Sequence, residues 1–167
     1  MTFHAFAEYL KYRWKAKGRH GTHSPFAYDF VESVLRDKKP IEKSGFEFPD
    51  EHLQKQWGVL VDRTMRYYGL KKLKLLRRDE GEYLNADALL LLDNEPGEWR
   101  AIAEKYFRMV KNNTVVFVSN IHKTPGHTDA WNELCGGRAV RLSIDLNKMG
   151  VLFFRKEFRE KQHFVLK

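Results

Sequence analysis

The sequence holds a single cysteine, Cys135, among 167 residues. One thiol excludes an intrachain disulfide framework, so a reducing cytoplasm is the expected location. Cys135 falls late in an amphipathic stretch, just ahead of Gly136-Gly137, where a buried structural thiol is expected rather than a catalytic one. Long apolar runs are absent as well. None approaches the length that crosses a bilayer, and no membrane partner is expected. The first ten residues lack the basic-then-apolar order of a secretory signal. No internal repeat and no low-complexity segment occurs. Acid is in short supply: 22 Asp and Glu stand against 30 Lys and Arg, a net charge of +8. That balance permits an anionic partner, nucleic acid or an acidic membrane surface, without requiring one, because the basic residues are spread along the whole chain.

What is present is a folded composition, 43% hydrophobic and 14% aromatic, long enough for one domain with a proper core. The pattern has two parts. Residues 1–69 read as helical and residues 70–167 as α/β, forming one compact unit. Phe3, Phe6, Tyr9, Leu10 and Trp14 recur at helical spacing, with Lys11, Arg13, Lys15 and Lys17 between them, and Gly18 stops this first helix. Trp14 is expected in the core. Ser24-Pro25 reads as a cap and first turn for a second helix, carrying Phe26, Phe30, Val31, Val34 and Leu35 inward. A third helix opens at Pro49-Asp-Glu, buries Leu53, Trp57, Leu60, Val61, Met65 and Tyr68, and ends at Gly69.

From Leu70 the periodicity shortens. Leu73–Leu76 is a poor strand and Ala86–Asp93 a good one. A helix runs from Pro96 to about Val110, and Thr114–Ser119 is a continuous β-branched run of the kind buried on both faces. A short helix around Trp131 and Leu134 follows. Val140–Leu146 and Val151–Arg155 form a hairpin about Asn147-Lys148-Met149-Gly150, and His163–Leu166 reads as an edge strand. Strand–helix–strand alternation implies parallel pairing with right-handed crossovers.

Two stretches carry a family likeness. Lys15-Ala-Lys-Gly-Arg-His-Gly-Thr-His-Ser-Pro-Phe-Ala-Tyr-Asp-Phe30 and Leu142-Ser-Ile-Asp-Leu-Asn-Lys-Met-Gly-Val-Leu-Phe-Phe-Arg155, with its continuation to Leu166, resemble the two ends of a group of class I S-adenosylmethionine (SAM)-dependent methyltransferases of Bacteroidetes. Ala86–Trp131 is similar more loosely, so the likeness covers roughly two thirds of the chain. It implies an α/β fold with a reduced Rossmann-like sheet of about five strands, an antiparallel C-terminal hairpin and an N-terminal helical segment. Ala86–Asp93 would be that family's fourth strand, Thr114–Ser119 its fifth, and the hairpin its sixth and seventh, the last inserted antiparallel beside the fifth.

The departures from the family bear on activity. Its glycine-rich turn after the first strand cradles the cofactor, and an acid after the second strand holds the ribose. Here Leu76 runs into Arg77-Arg-Asp-Glu-Gly-Glu82, with Gly81 alone and no Gly-x-Gly. The next strand starts too soon for a strand–helix–strand insertion. After the fourth strand the family has Asp-Gly-x-His; this chain has Asp93-Asn-Glu-Pro-Gly97. Paired acids before Ile-His are replaced by Ser119-Asn120-Ile121-His122.

Asp93 and His122 therefore stand as the catalytic candidates, since a carboxylate and an imidazole ending neighbouring strands can exchange protons. The alternative is that Asp93 caps a helix and His122 makes a local hydrogen bond. Gly81, Asp93, Asn94 and Asn120 are the cofactor-binding candidates, should SAM bind at all; no cofactor is expected otherwise. Arg19, His20, His23 and Ser24 form a polar group able to hold an anion at a helix start, or alternatively to pack the helical segment onto the sheet. These histidines lack the further ligands that a metal site needs, and no metal is expected. The basic residues around Tyr12 and Trp14 can also track a nucleic-acid backbone. The function expected first is a non-catalytic methyltransferase-like binding or assembly module, paired with a second copy or a full-length relative. An active SAM-dependent enzyme on an anionic substrate and a nucleic-acid-binding module are the alternatives.

Overall fold

A computed structural model describes residues 2–18, 24–38, 51–76, 86–91 and 95–167, with the side chains of residues 51–54 and 56 excepted. Helix α1 spans Phe3–Lys15, and α2, Pro25–Phe30, continues into a wider π-helical turn, Val31–Leu35. Helix α3 is Glu51–Tyr68, α4 Pro96–Tyr106 and α5 Pro125–Gly136. The strands are β1 Leu73–Leu75, β2 Ala88–Leu91, β3 Val115–Ser119, β4 Leu142–Asp145, β5 Met149–Phe153 and β6 Gln162–Val165.

Local chemistry sets the helix starts. Pro25, Pro96 and Pro125 each sit in a first turn, where proline's fixed φ helps and its missing N–H costs nothing. Ser24 and Thr124 cap α2 and α5 through their side chains. Gly69, at φ 65°, closes α3 as its position in the sequence implied. Asp87 accepts hydrogen bonds from the backbone N–H groups of Lys71 and Lys72 and so pins the entry to β1 beside β2.

The six strands form one mixed sheet in the order β1-β2-β3-β5-β4-β6. Strands β1, β2 and β3 are parallel neighbours. Strand β5 runs antiparallel between β3 and β4, and β6 lies parallel to β4 at the far edge. The described residues supply six strands, close to the expected number of about five, with the expected edge strand β6 paired along its whole length with β4. Beyond it Lys17 forms a bridge with Leu166, so the segment leaving α1 extends the edge.

Period-two alternation divides the sheet's side chains between two cores. Ala88, Leu90, Val115, Phe117, Ile144, Val151 and Phe153 pack with Phe30, Val34, Trp57, Val61 and Met65, which puts α2 and α3 on one face. Leu89, Leu91, Val116, Val118 and Leu152 pack with Trp99, Ile102, Tyr106, Trp131 and Leu134, which puts α4 and α5 on the other. The protein is thus a three-layer α/β structure.

Helix α1 departs from expectation. It contains no fully buried residue, and Trp14, expected in the core, is 94% exposed. The reason is how the helix is held. Its inward face is polar: His4 meets the Thr128 hydroxyl at 3.0 Å, and the Tyr12 hydroxyl donates to the Leu166 carbonyl at 2.6 Å. Those bonds, with Thr2 donating to the Lys123 carbonyl, turn the apolar stripe outward.

Candidate functional site

The C-terminal ends of β3 and β4 lie at one edge of the sheet, where open α/β folds place their chemistry. Strand β3 leaves that edge through Asn120, whose φ of 56° is left-handed, a conformation asparagine tolerates better than most residues. The Asn120 carbonyl accepts from the Lys123 N–H, closing a tight turn that carries His122 back over the edge. Across from it, β4 ends at Asp145, and Asn147, at φ 68°, turns the chain into β5.

These two turns bring together a connected polar chain. His122 Nε2 lies 2.8 Å from Asp145 Oδ2, and its Nδ1 lies 3.0 Å from Thr128 Oγ1. The other Asp145 oxygen accepts the Asn147 N–H at 2.7 Å. His4 Nε2 reaches the same Thr128 hydroxyl at 3.0 Å. A carboxylate only accepts, so His122 carries its proton on Nε2 and donates it to Asp145. Nδ1 and His4 Nε2 both meet the Thr128 hydroxyl, which has one proton to give and also lies 3.4 Å from the Thr124 carbonyl. His4, Thr128, His122 and Asp145 thus form one connected chain joining α1 and α5 to the end of β4.

Burial is nearly complete at its centre. The His122 side chain is 11% exposed and that of Asp145 9%. Tyr12, on α1, has its phenol pushed up to about 12, first by burial and then by the negative charge of Asp145. The Cys135 thiol, of intermediate exposure, is likewise raised, to about 12, chiefly by burial.

Of the catalytic candidates, the structure places His122 at the sheet edge with both ring nitrogens engaged; Asp93 lies outside the described residues. Of the cofactor candidates, Asn120 shapes the turn after β3, whereas Gly81, Asp93 and Asn94 lie outside the described residues. Arg19, His20 and His23 lie outside them too. Ser24, the remaining member of that group, spends its hydroxyl on the Ala27 N–H and on Gln162. Among the described residues no group of His, Cys, Asp and Glu is arranged to hold a metal ion.

Nothing in the sequence pattern connects Asp145, at the start of the hairpin turn, with His122. Thr128 and His4 carry no motif, and Asn147 reads only as part of the hairpin turn. The available signal was Asp145-Leu-Asn147 at a strand end, since an aspartate there commonly captures the N–H two residues on.

Comparison with protein-family models, with curated proteins and with solved structures gave no match to this chain.

Proposed function

We propose that this chain is a shortened relative of class I SAM-dependent methyltransferases that no longer binds SAM in the ordinary way and serves as a binding or assembly module. The carrying observation is the position of β1, which is an edge strand of the sheet among the described residues. The methyltransferase resemblance calls for two more strands and the cofactor cradle on that side. The order β1-β2-β3-β5-β4, with β5 antiparallel beside β3, is consistent with the retained half of such a sheet. The engagement of His122 by Asp145 and Thr128 supports the same reading, because it commits the imidazole to holding elements together. A cytoplasmic setting suits the lone protonated thiol.

Isothermal titration with SAM and with S-adenosylhomocysteine tests the loss of the donor site. No binding heat is expected with either compound. Micromolar affinity for either one restores the active-enzyme alternative.

Among the described residues β1 is an outermost strand, the kind of sheet edge on which another chain can pair. A second copy, or a full-length methyltransferase relative, is the proposed occupant. Size-exclusion chromatography with light scattering is expected to give twice the chain mass, or co-elution with that relative. A strict monomer under both conditions removes the assembly half of the proposal.

A further inference from the structure

Helix α1 presents to solvent the side chains that its sequence pattern would bury. Phe3 is 88% exposed and Trp14 94%, and Phe6 and Leu10 between them are also exposed. Positions 3, 6, 10 and 14 follow helical spacing, so the four make one continuous stripe along the helix. The helix is not loose on the body. The Tyr12–Leu166 and His4–Thr128 bonds fix which side faces out.

We infer that α1 is a surface-binding helix that lays this stripe into an anionic phospholipid bilayer. Charge selects the partner. Lys11, Arg13 and Lys15 are all exposed, Lys11 and Arg13 on the two sides of the stripe by helical spacing and Lys15 at the helix end. Glu8, the helix's one acid, is turned inward with 15% exposure and pairs with Lys11 at 2.7 Å. Every outward charge on α1 is therefore positive, on a protein whose net charge is +8. Aromatic and leucine side chains on one face with lysine and arginine alongside are what an interfacial helix needs: apolar groups for the acyl boundary, cations for the headgroups.

A second copy fits this surface less well. Two such helices face to face bring like charges together. The stripe also offers only several hundred Å2, short of the roughly 800 Å2 per partner that a stable interface buries. Nucleic acid fits less well too. Tyr12 is one of the two aromatics that would stack on bases, and its hydroxyl is tied to Leu166 on the inward side. Sequence reasoning set membranes aside because no segment is long enough to span one, and among the described residues no helix is long and apolar enough to cross. Lying on a surface makes neither demand. The inference stands independently of whether SAM binds.

Tryptophan emission gives a clean readout. The chain has four tryptophans; Trp57, Trp99 and Trp131 are buried, leaving Trp14 exposed. The full chain is mixed with phosphatidylcholine vesicles with and without phosphatidylserine, and with vesicles of brominated lipid. Sedimentation with the phosphatidylserine vesicles, a blue shift, and quenching by brominated lipid are expected, all weakened by added salt. The F6E/W14E double variant should lose at least tenfold in vesicle affinity, read by sedimentation, while its thermal midpoint stays close to that of the parent. The R13E/K15E variant, which leaves the stripe intact, should lose preference for phosphatidylserine. Four results overturn the inference. They are no vesicle binding, binding with Trp14 unquenched, a lipid-free blue shift that grows with protein concentration, and an oligonucleotide shift abolished by F6E/W14E in the absence of vesicle binding. The third assigns the stripe to a second copy and the fourth to nucleic acid.

Discussion

Replacing Gly150 by alanine is expected to destabilise the protein by about 3 kcal/mol, lowering the thermal midpoint by roughly 6–12 °C. Gly150 lies in β5, hydrogen-bonded between β3 and β4 in the middle of the sheet. A Cβ built there would fall 2.4 Å from both Cη2 and Cζ3 of Trp131. The indole cannot yield easily. Trp131 is fully buried on α5, inside the core that also holds Trp99, Val118 and Leu152. Nor can the strand retreat, since it is paired on both sides. Trp131→Leu relieves the clash at the cost of a cavity of its own. The double variant should therefore be markedly more stable than the sum of the two single losses implies. Thermal or urea unfolding of all four proteins measures this. Strict additivity, or a Gly150→Ala loss below about 0.5 kcal/mol, would show that Trp131 does not sit on that glycine.

The same glycine shows what the sequence could and could not reveal. Asn147-Lys148-Met149-Gly150 reads as a hairpin turn because asparagine and glycine mark turns. The turn is real but tighter: Leu146 and Met149 already pair, and Asn147 alone supplies the left-handed step. Met149 and Gly150 belong to the strand, so β5 begins two residues before the expected Val151. A glycine inside a strand can signal close approach by another group, yet nothing local says that the group is an indole from α5. Strands β2 and β3 were legible because continuous apolar runs leave few alternatives. Helix α3 was legible through its apolar stripe and Gly69, and α4 through Pro96 and its buried Trp99, Ile102 and Tyr106, although α4 ends at Tyr106 and not near Val110. The direction of α1 was not. Helical spacing shows that an apolar face exists, and a face buries only if something covers it. Here polar contacts from His4 and Tyr12 decide the orientation, and no periodicity encodes them.

The functional edge follows the same division. His122 was legible as the residue closing the loop after a buried strand. Its partner was not, because β5 separates β3 from β4 in the sheet, and Asp145 arrives from a strand formed later in the chain. Pairings of this kind depend on strand order, which composition and spacing leave open. The edge strand β6 was visible as His163–Leu166, though its bridge to Lys17 depends on where the chain folds back after α1.

Asp145→Ala is the second large effect, expected to cost about 3 kcal/mol and roughly 6–12 °C in thermal midpoint. Removing the carboxylate strands two donors at a covered site, His122 Nε2–H and the Asn147 N–H. Asp145→Asn should cost far less, about 1 kcal/mol. Its amide oxygen still accepts from Asn147, and its NH2 can donate to His122 if the imidazole moves its proton to Nδ1. Thr128 then accepts that proton and turns its own hydroxyl to the Thr124 carbonyl, already 3.4 Å away. Nitrogen chemical shifts of His122 read the exchange directly: Nε2–H in the parent, Nδ1–H in Asp145→Asn. This rearrangement separates the two roles the pair can have. A structural pair asks only that every donor find an acceptor, and either tautomer satisfies it. A pair working as a general base needs Nε2 or Nδ1 free toward a substrate, and here one nitrogen faces Asp145 and the other Thr128. Equal losses from Asp145→Ala and Asp145→Asn, with the Nε2–H tautomer retained in the asparagine variant, would show that the carboxylate's charge matters more than its hydrogen bonds. That result would return His122 and Asp145 to consideration as chemistry.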